Sequence, residues 1–130
     1  MARRQGVLLS TELLLLLPIL LIFFVAVVEI TFLIVIEARL ASAAREGVRV
    51  AARGGDSGDI EAAIALIFGD PSKSQVTFTV NFPNGTNHTG DPVQVIVMTP
   101  ATAYVPNYLA CVGFDLTGQT LTAQAVMTIE

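Results

Sequence analysis

The chain has 130 residues, a formal net charge of −4 and a single cysteine, which excludes an intrachain disulfide. Its charges are segregated: residues 1–53 hold all six arginines against Glu12, Glu29, Glu37 and Glu46, whereas beyond them Lys73 is the only base. Opposing Lys73 are Asp56, Asp59, Glu61, Asp70, Asp91, Asp115 and Glu130, so the outer part lacks the basic surface that nucleic-acid binding requires.

The chain opens with Arg3, Arg4 and Gly6, then Glu12, then an apolar run from Leu13 to Ile36. That run exceeds the roughly 20 residues a helix needs to cross a bilayer core. It also exceeds the apolar region, roughly 7–15 residues, of a cleaved secretory signal. Pro18 removes a helical hydrogen bond and predicts a kink. Glu29 lies about 10 Å inside the far end of the run by helical rise, too deep for a short acid to reach water easily. Such acids mark partner contacts by default, and we read Glu29 as a subunit contact. The alternative is a neutral side chain bonded to Thr31 or a backbone carbonyl.

Helical patterning continues from Glu37 to Arg53, through the single Gly47, and is not broken until Gly54-Gly55. Arg39, Ser42, Glu46, Arg49 and Arg53 share one face; Leu40, Ala41, Ala44, Val48, Ala51 and Ala52 form the other. The Ala-rich face suits close approach by another helix or a sheet. Ala44, with Glu46 and Arg49 at the rim, is the candidate subunit contact here. From Leu13 to Arg53 the rod is about 60 Å long. Charge leaves its orientation open, because arginines flank the apolar run on both sides.

Asp59–Phe68 predicts a short helix, with Ser57 as candidate cap and Gly69-Asp70-Pro71 as its end. The period then changes to two. Gln75–Phe82 reads as a half-buried strand, 83–92 as a polar loop turning at Asn84-Gly85, and Val93–Thr99 as the hairpin partner. Residues 100–115 read as irregular, with Cys111 a small buried hydrophobe, and Leu121–Ile129 as a closing strand. Asn84-Gly-Thr and Asn87-His-Thr fit the glycosylation sequon, but turn chemistry accounts for them at least as well. One His and one Cys far apart make no metal set. No nucleophilic triad or phosphate loop is present, so no cofactor and no enzymatic activity is read.

These residues carry a family resemblance. RRQG at 3–6, Glu12 entering the apolar run, Leu17-Pro18, Glu29 and above all AAREGVRVAA at 43–52 resemble the TadE-like pseudopilins of tight-adherence (Tad/Flp) pilus systems. The closing LTAQAVMTIE is similar to their usual finish; residues 54–130 otherwise match in pattern only. The resemblance implies a pilin-like α+β fold: a long N-terminal membrane-spanning helix extending into a small antiparallel β-sheet domain with one short helix. It divides the chain into a basic leader (1–6), a transmembrane helix with its amphipathic extension (7–53) and an extracytoplasmic domain (54–130).

The implied partners are a prepilin peptidase cutting between Gly6 and Val7, other pilin-like subunits (TadF-like, major pilin), the assembly platform and the membrane. One departure stands out. Pilin-type chains carry Glu fifth after the cut, whereas Glu12 is sixth, so cleavage and a retained leader are both open. For Glu12 itself the resemblance implies pairing with the N-terminal amine of an adjoining subunit. The other reading puts it in the interfacial first turn beside Arg3 and Arg4. The implied role is a minor pilin in pilus assembly; the rival is a single-pass anchored extracytoplasmic ligand-binding module.

Overall fold

The computed structural model describes residues 2–69 and 75–130, with side chains from residue 11 onward. Helix α1 (Ala2–Ala52) is continuous through Pro18 and, at 1.5 Å per residue, is about 76 Å long. It stops where the sequence runs out of helix formers. Gly54 takes φ 81°, the left-handed conformation that a side chain disfavours. The amides of Gly54 and Gly55 then return to the carbonyls of Ala51 and Val50 at 3.1 and 3.0 Å. This paired closure satisfies carbonyls that the helix end would otherwise leave open.

Helix α2 (Ser57–Phe68) starts one turn later on a reciprocal cap: the Asp59 amide donates to Asp56 Oδ1 and the Asp56 amide to Asp59 Oδ2. The cap is therefore Asp56, not Ser57, because only Asp56 pairs with an acid three residues on. Gly69 ends α2, while Asp70 and Pro71 of the expected stop lie outside the described residues.

Three strands follow: β1 (Thr77–Asn81), β2 (Pro92–Pro100) and β3 (Thr120–Thr128), in the antiparallel order β1-β2-β3. The loop joining β1 to β2 is closed by Asp91, which accepts from Thr86 Oγ1, the His88 amide and Asn84 Nδ2. Asn84 and Thr86 of the first sequon are thus engaged in turn chemistry.

Central strand β2 alternates cleanly, with Val93, Val95, Val97 and Thr99 fully buried. They meet α1 through Leu40, Ala43, Ala44, Val48, Ala51 and Ala52, and Ile60 and Ile64 of α2 complete the same core. Gly47 sits in the middle of this contact, where an added Cβ would come within 3.2 Å of Val95 Cγ1. Small residues here let helix backbone and sheet approach closely, which is why the stripe is Ala and Gly rather than Leu. The chain end closes against the same helix, with the Glu130 amide donating to the Ala52 carbonyl.

The structure corrects the expected use of Ala44. Its side chain is 0% exposed within the chain's own core, so the Ala-rich face is covered by the domain itself and is not open to another subunit. The division at residue 53/54 marks a helix end, and the packed core crosses it. Ala44→Leu should therefore overpack the core and cost about 1–3 kcal/mol, while Arg45→Leu on the exposed side should cost under about 0.5 kcal/mol. Thermal unfolding of the detergent-solubilised protein, followed by circular dichroism, separates the two; equal melting points would refute the packing.

Candidate functional site

The buried stripe of α1 can be followed backward from the extension: Leu40, Ile36, Leu33, Glu29, at steps of four, three and four. Leu40 and Ile36 are buried and Leu33 packs against the same core. Glu29 is the last member, and it is 0% exposed. It is thus the point where α1 leaves its own domain.

What covers it comes from the far end of the chain. After β2 the backbone makes two 3-10 turns, Ala101–Ala103 and Tyr108–Val112, before β3. The second turn lies against α1, and the Leu109 amide donates to Glu29 Oε2 at 3.0 Å across 80 residues of sequence. Oε1 is buried without a hydrogen-bond partner. Thr31, the partner considered from sequence, instead donates to the Val27 carbonyl at 2.7 Å. Glu29 is therefore held within the chain, in place of the expected contact with another subunit. An exposed N–H at a 3-10 turn and a carboxylate in an apolar helix each need a partner, and each supplies the other's.

The loop carrying this turn is held at its neck. Asn107 Nδ2 donates to Asp115 Oδ1 at 2.6 Å, and Asn107 Oδ1 accepts from the Leu116 amide at 3.1 Å. The Thr117 hydroxyl and amide both donate to the same Asp115 oxygen, at 2.7 and 2.9 Å. Buried Ala101, Val105 and Leu116 root the loop in the core. Thr117 first, then Asn107, hold the Asp115 carboxyl below its ordinary value. Thr86, Asn84 and the His88 amide do the same for Asp91. Cys111, expected to be buried, is exposed at the tip of the turn, its Sγ 3.2 Å from the Tyr108 carbonyl.

The remaining candidates are dispersed. Glu12 is exposed on α1, about 25 Å along the rod from Glu29. Glu46 and Arg49 are partly exposed and, among the described residues, pair only with each other, at 3.9 Å, a spacing worth little at a surface. Gly6 and Val7 fall in the helical backbone, with side chains outside the described ones. Among the described residues no group of three or more His, Cys, Asp or Glu is placed to hold a metal. Sequence reasoning missed the Tyr108–Val112 turn and its bond to Glu29. The available signal was the phase of the stripe, which puts Glu29 on the core side of α1.

Helix, sheet and junction define an α+β protein with, among the described residues, one helix long and apolar enough to cross a membrane. Residues 9–49 match the model of the TadE-like protein family. No curated protein and no solved structure matches the chain.

Two expectations follow. Glu29→Gln keeps an acceptor for the Leu109 amide and should hold the turn. Glu29→Ala leaves that amide unpaired, at a cost of about 1–3 kcal/mol, and should speed its hydrogen exchange roughly tenfold or more. Identical exchange in the two variants would refute the latch. For Asp115 and Asp91 the folded value is depressed, so their contribution is present above the ordinary value of 3.8. It is lost as pH falls below that through the folded value. Carboxyl-carbon NMR should find both titrating below 3.8, and Thr117→Val should raise the Asp115 value.

Proposed function

We propose that this chain is a minor pilin-like subunit that acts in the assembly of a tight-adherence pilus, through contacts made by its N-terminal helix with other pilin-like chains. The observation that carries this reading is the exposed apolar length of α1 within the TadE-like segment. Leu13–Phe24 is exposed on every side, with Leu14 at 74%, while the other half of the same helix is consumed by the domain core. A helix with one half used for folding and the other left apolar all round is available for lipid and for neighbouring helices at once. Helices in lipid associate by packing and by satisfying polar groups, and Glu12 is the acid that this exposed half presents. In this reading the N-terminus is cytoplasmic and the sheet domain lies outside the membrane.

The rival, an anchored ligand-binding module, gains from one finding: Glu29 is engaged by the chain's own loop and no longer argues for a partner. Against it stands the rigid passage from anchor to domain. One face of residues 36–52 of α1 belongs to the core, whereas a tether needs only a flexible linker.

The test is site-specific photocrosslinking of the full chain in cells that make pili, from Leu16 and Arg49 on exposed faces and from Ala44 in the core. Leu16 and Arg49 should capture a second pilin-like chain, and Ala44 only the protein itself. The mass of the captured N-terminus should correspond to a chain starting at Val7 if the leader is removed. Absence of any pilin-like chain from both exposed positions, in piliated cells, would favour the anchored module.

A further inference from the structure

We propose that the segment Tyr108–Phe114 is a foot that sits in the lipid interface and fixes the domain against the bilayer surface. The inference rests on membrane anchoring by α1 and is independent of the pilus role.

Three observations converge on it. The first is depth. The Tyr108–Val112 turn packs on α1 around Leu21, Ile22 and Val25, forming a shallow apolar groove with them. These positions lie four to eight residues before Glu29, roughly 6–12 Å further toward the N-terminus. A span of about 20 residues that ends beside the turn, at Val25, begins at Gly6, directly after Arg3 and Arg4. Leu21–Val25 is then the outer edge of the span, and the turn packed on it lies at the interface, where irregular backbone can still reach water.

The second is exposure. Tyr108, Val112 and Phe114 are 61%, 58% and 51% exposed, in a loop whose root is firmly buried. Their surface is continuous with the exposed apolar flank of α1, since Phe114 lines a second groove with Ile30 and Ile34. Tyrosine with an apolar body and a polar tip is a residue of membrane interfaces.

The third is charge. Residues 92–114 contain no Asp, Glu, Lys, Arg or His, in a domain that is otherwise acidic. Charge resumes at Asp115, beside Glu37 at the rim of the second groove. The acids Asp56, Asp59, Asp91 and Glu130 lie toward the opposite end, around the C-terminus of α1 and the β1–β2 loop. An end free of charge next to a membrane helix fits lipid, and the carboxylate beneath the turn, Glu29, is fully buried and engaged by the Leu109 amide.

The chain has no tryptophan, so single substitutions report their own surroundings. Tyr108→Trp, Val112→Trp and Phe114→Trp, each in the full chain, would be reconstituted in phosphatidylethanolamine–phosphatidylglycerol vesicles doped with brominated phosphatidylcholine. Leu16→Trp serves as the buried-in-lipid reference and Asn87→Trp, in the distal loop, as the aqueous one. Circular dichroism matching the parent chain is required of each. The expected result is loss of fluorescence at 108, 112 and 114 approaching that at 16, with no loss at 87. Quenching at 16 alone would overturn the foot while leaving the anchor intact. Failure at 16 as well would overturn both. A blue shift at 112 and 114 that bromolipid does not quench, and that grows with protein density in the vesicles, would instead assign the surface to contact between chains.

Discussion

A helix packed on a sheet can come no closer than its side chains allow, and in this protein that distance is set by Ala43, Ala44, Gly47 and Ala51 against Val93, Val95 and Val97. Everything else hangs on that contact. It orients the sheet across the helix, leaves room beside it for α2 with Ile60 and Ile64, and brings the end of β3 back to the helix terminus. Because the stripe is narrow and continuous, its phase also decides which side of α1 the domain covers all the way down to Glu29. Above that point one face is core and the other solvent. Below it, both faces are open and apolar.

Glu29 stands at this boundary, and its environment gives the boundary a mechanism. A carboxylate there would be costly if left to lipid, and a helix-long domain contact cannot stop abruptly without leaving an edge. The Leu109 amide resolves both by capping the acid from a turn that itself needs an acceptor. The turn is steadied from above by the Asn107–Asp115–Thr117 cluster, so the loop is braced at its neck and latched at its tip. One carboxylate oxygen remains without a hydrogen bond, which makes the latch weaker than a fully satisfied buried acid would be. The anchor and the domain are consequently one rigid piece, joined by packing and by this latch.

That rigidity bears on how such a chain can work. A domain packed along its own candidate membrane helix cannot swing freely, so in a bilayer its position would follow how deep α1 sits and at what tilt. The TadE-like segment, residues 9–49, covers both the exposed lower helix and the stripe that builds the core. The same stretch of sequence thus carries both the candidate membrane span and the stripe that folds the domain. The upper charged face, with Arg39, Glu46, Arg49 and Arg53, is the side of α1 that the domain core leaves uncovered.

The sequence by itself determined the elements whose signal is local. The apolar run, the amphipathic extension ending at Gly54-Gly55, the short helix, the Asn84-Gly85 turn and the three alternating strands are all written in periods of 3.6 or 2 and in turn residues. Even the α+β class follows from them. Only the tertiary structure decided which surface the Ala-rich stripe meets, because small residues permit close approach to a helix, a sheet or another subunit alike. The same holds for Glu29, whose partner lies 80 residues away in a stretch with no periodicity to read. Ser57 yielded to Asp56 as the cap because the reciprocal bond needs an acid at the right register, a geometric condition. Cys111 is exposed because the 3-10 turn that carries it is aimed at α1 by Leu109, and no local pattern encodes that direction. Local chemistry is fixed by neighbours in sequence, whereas the partner of a buried acid or a stripe of alanines is fixed by which distant backbone packing brings within reach.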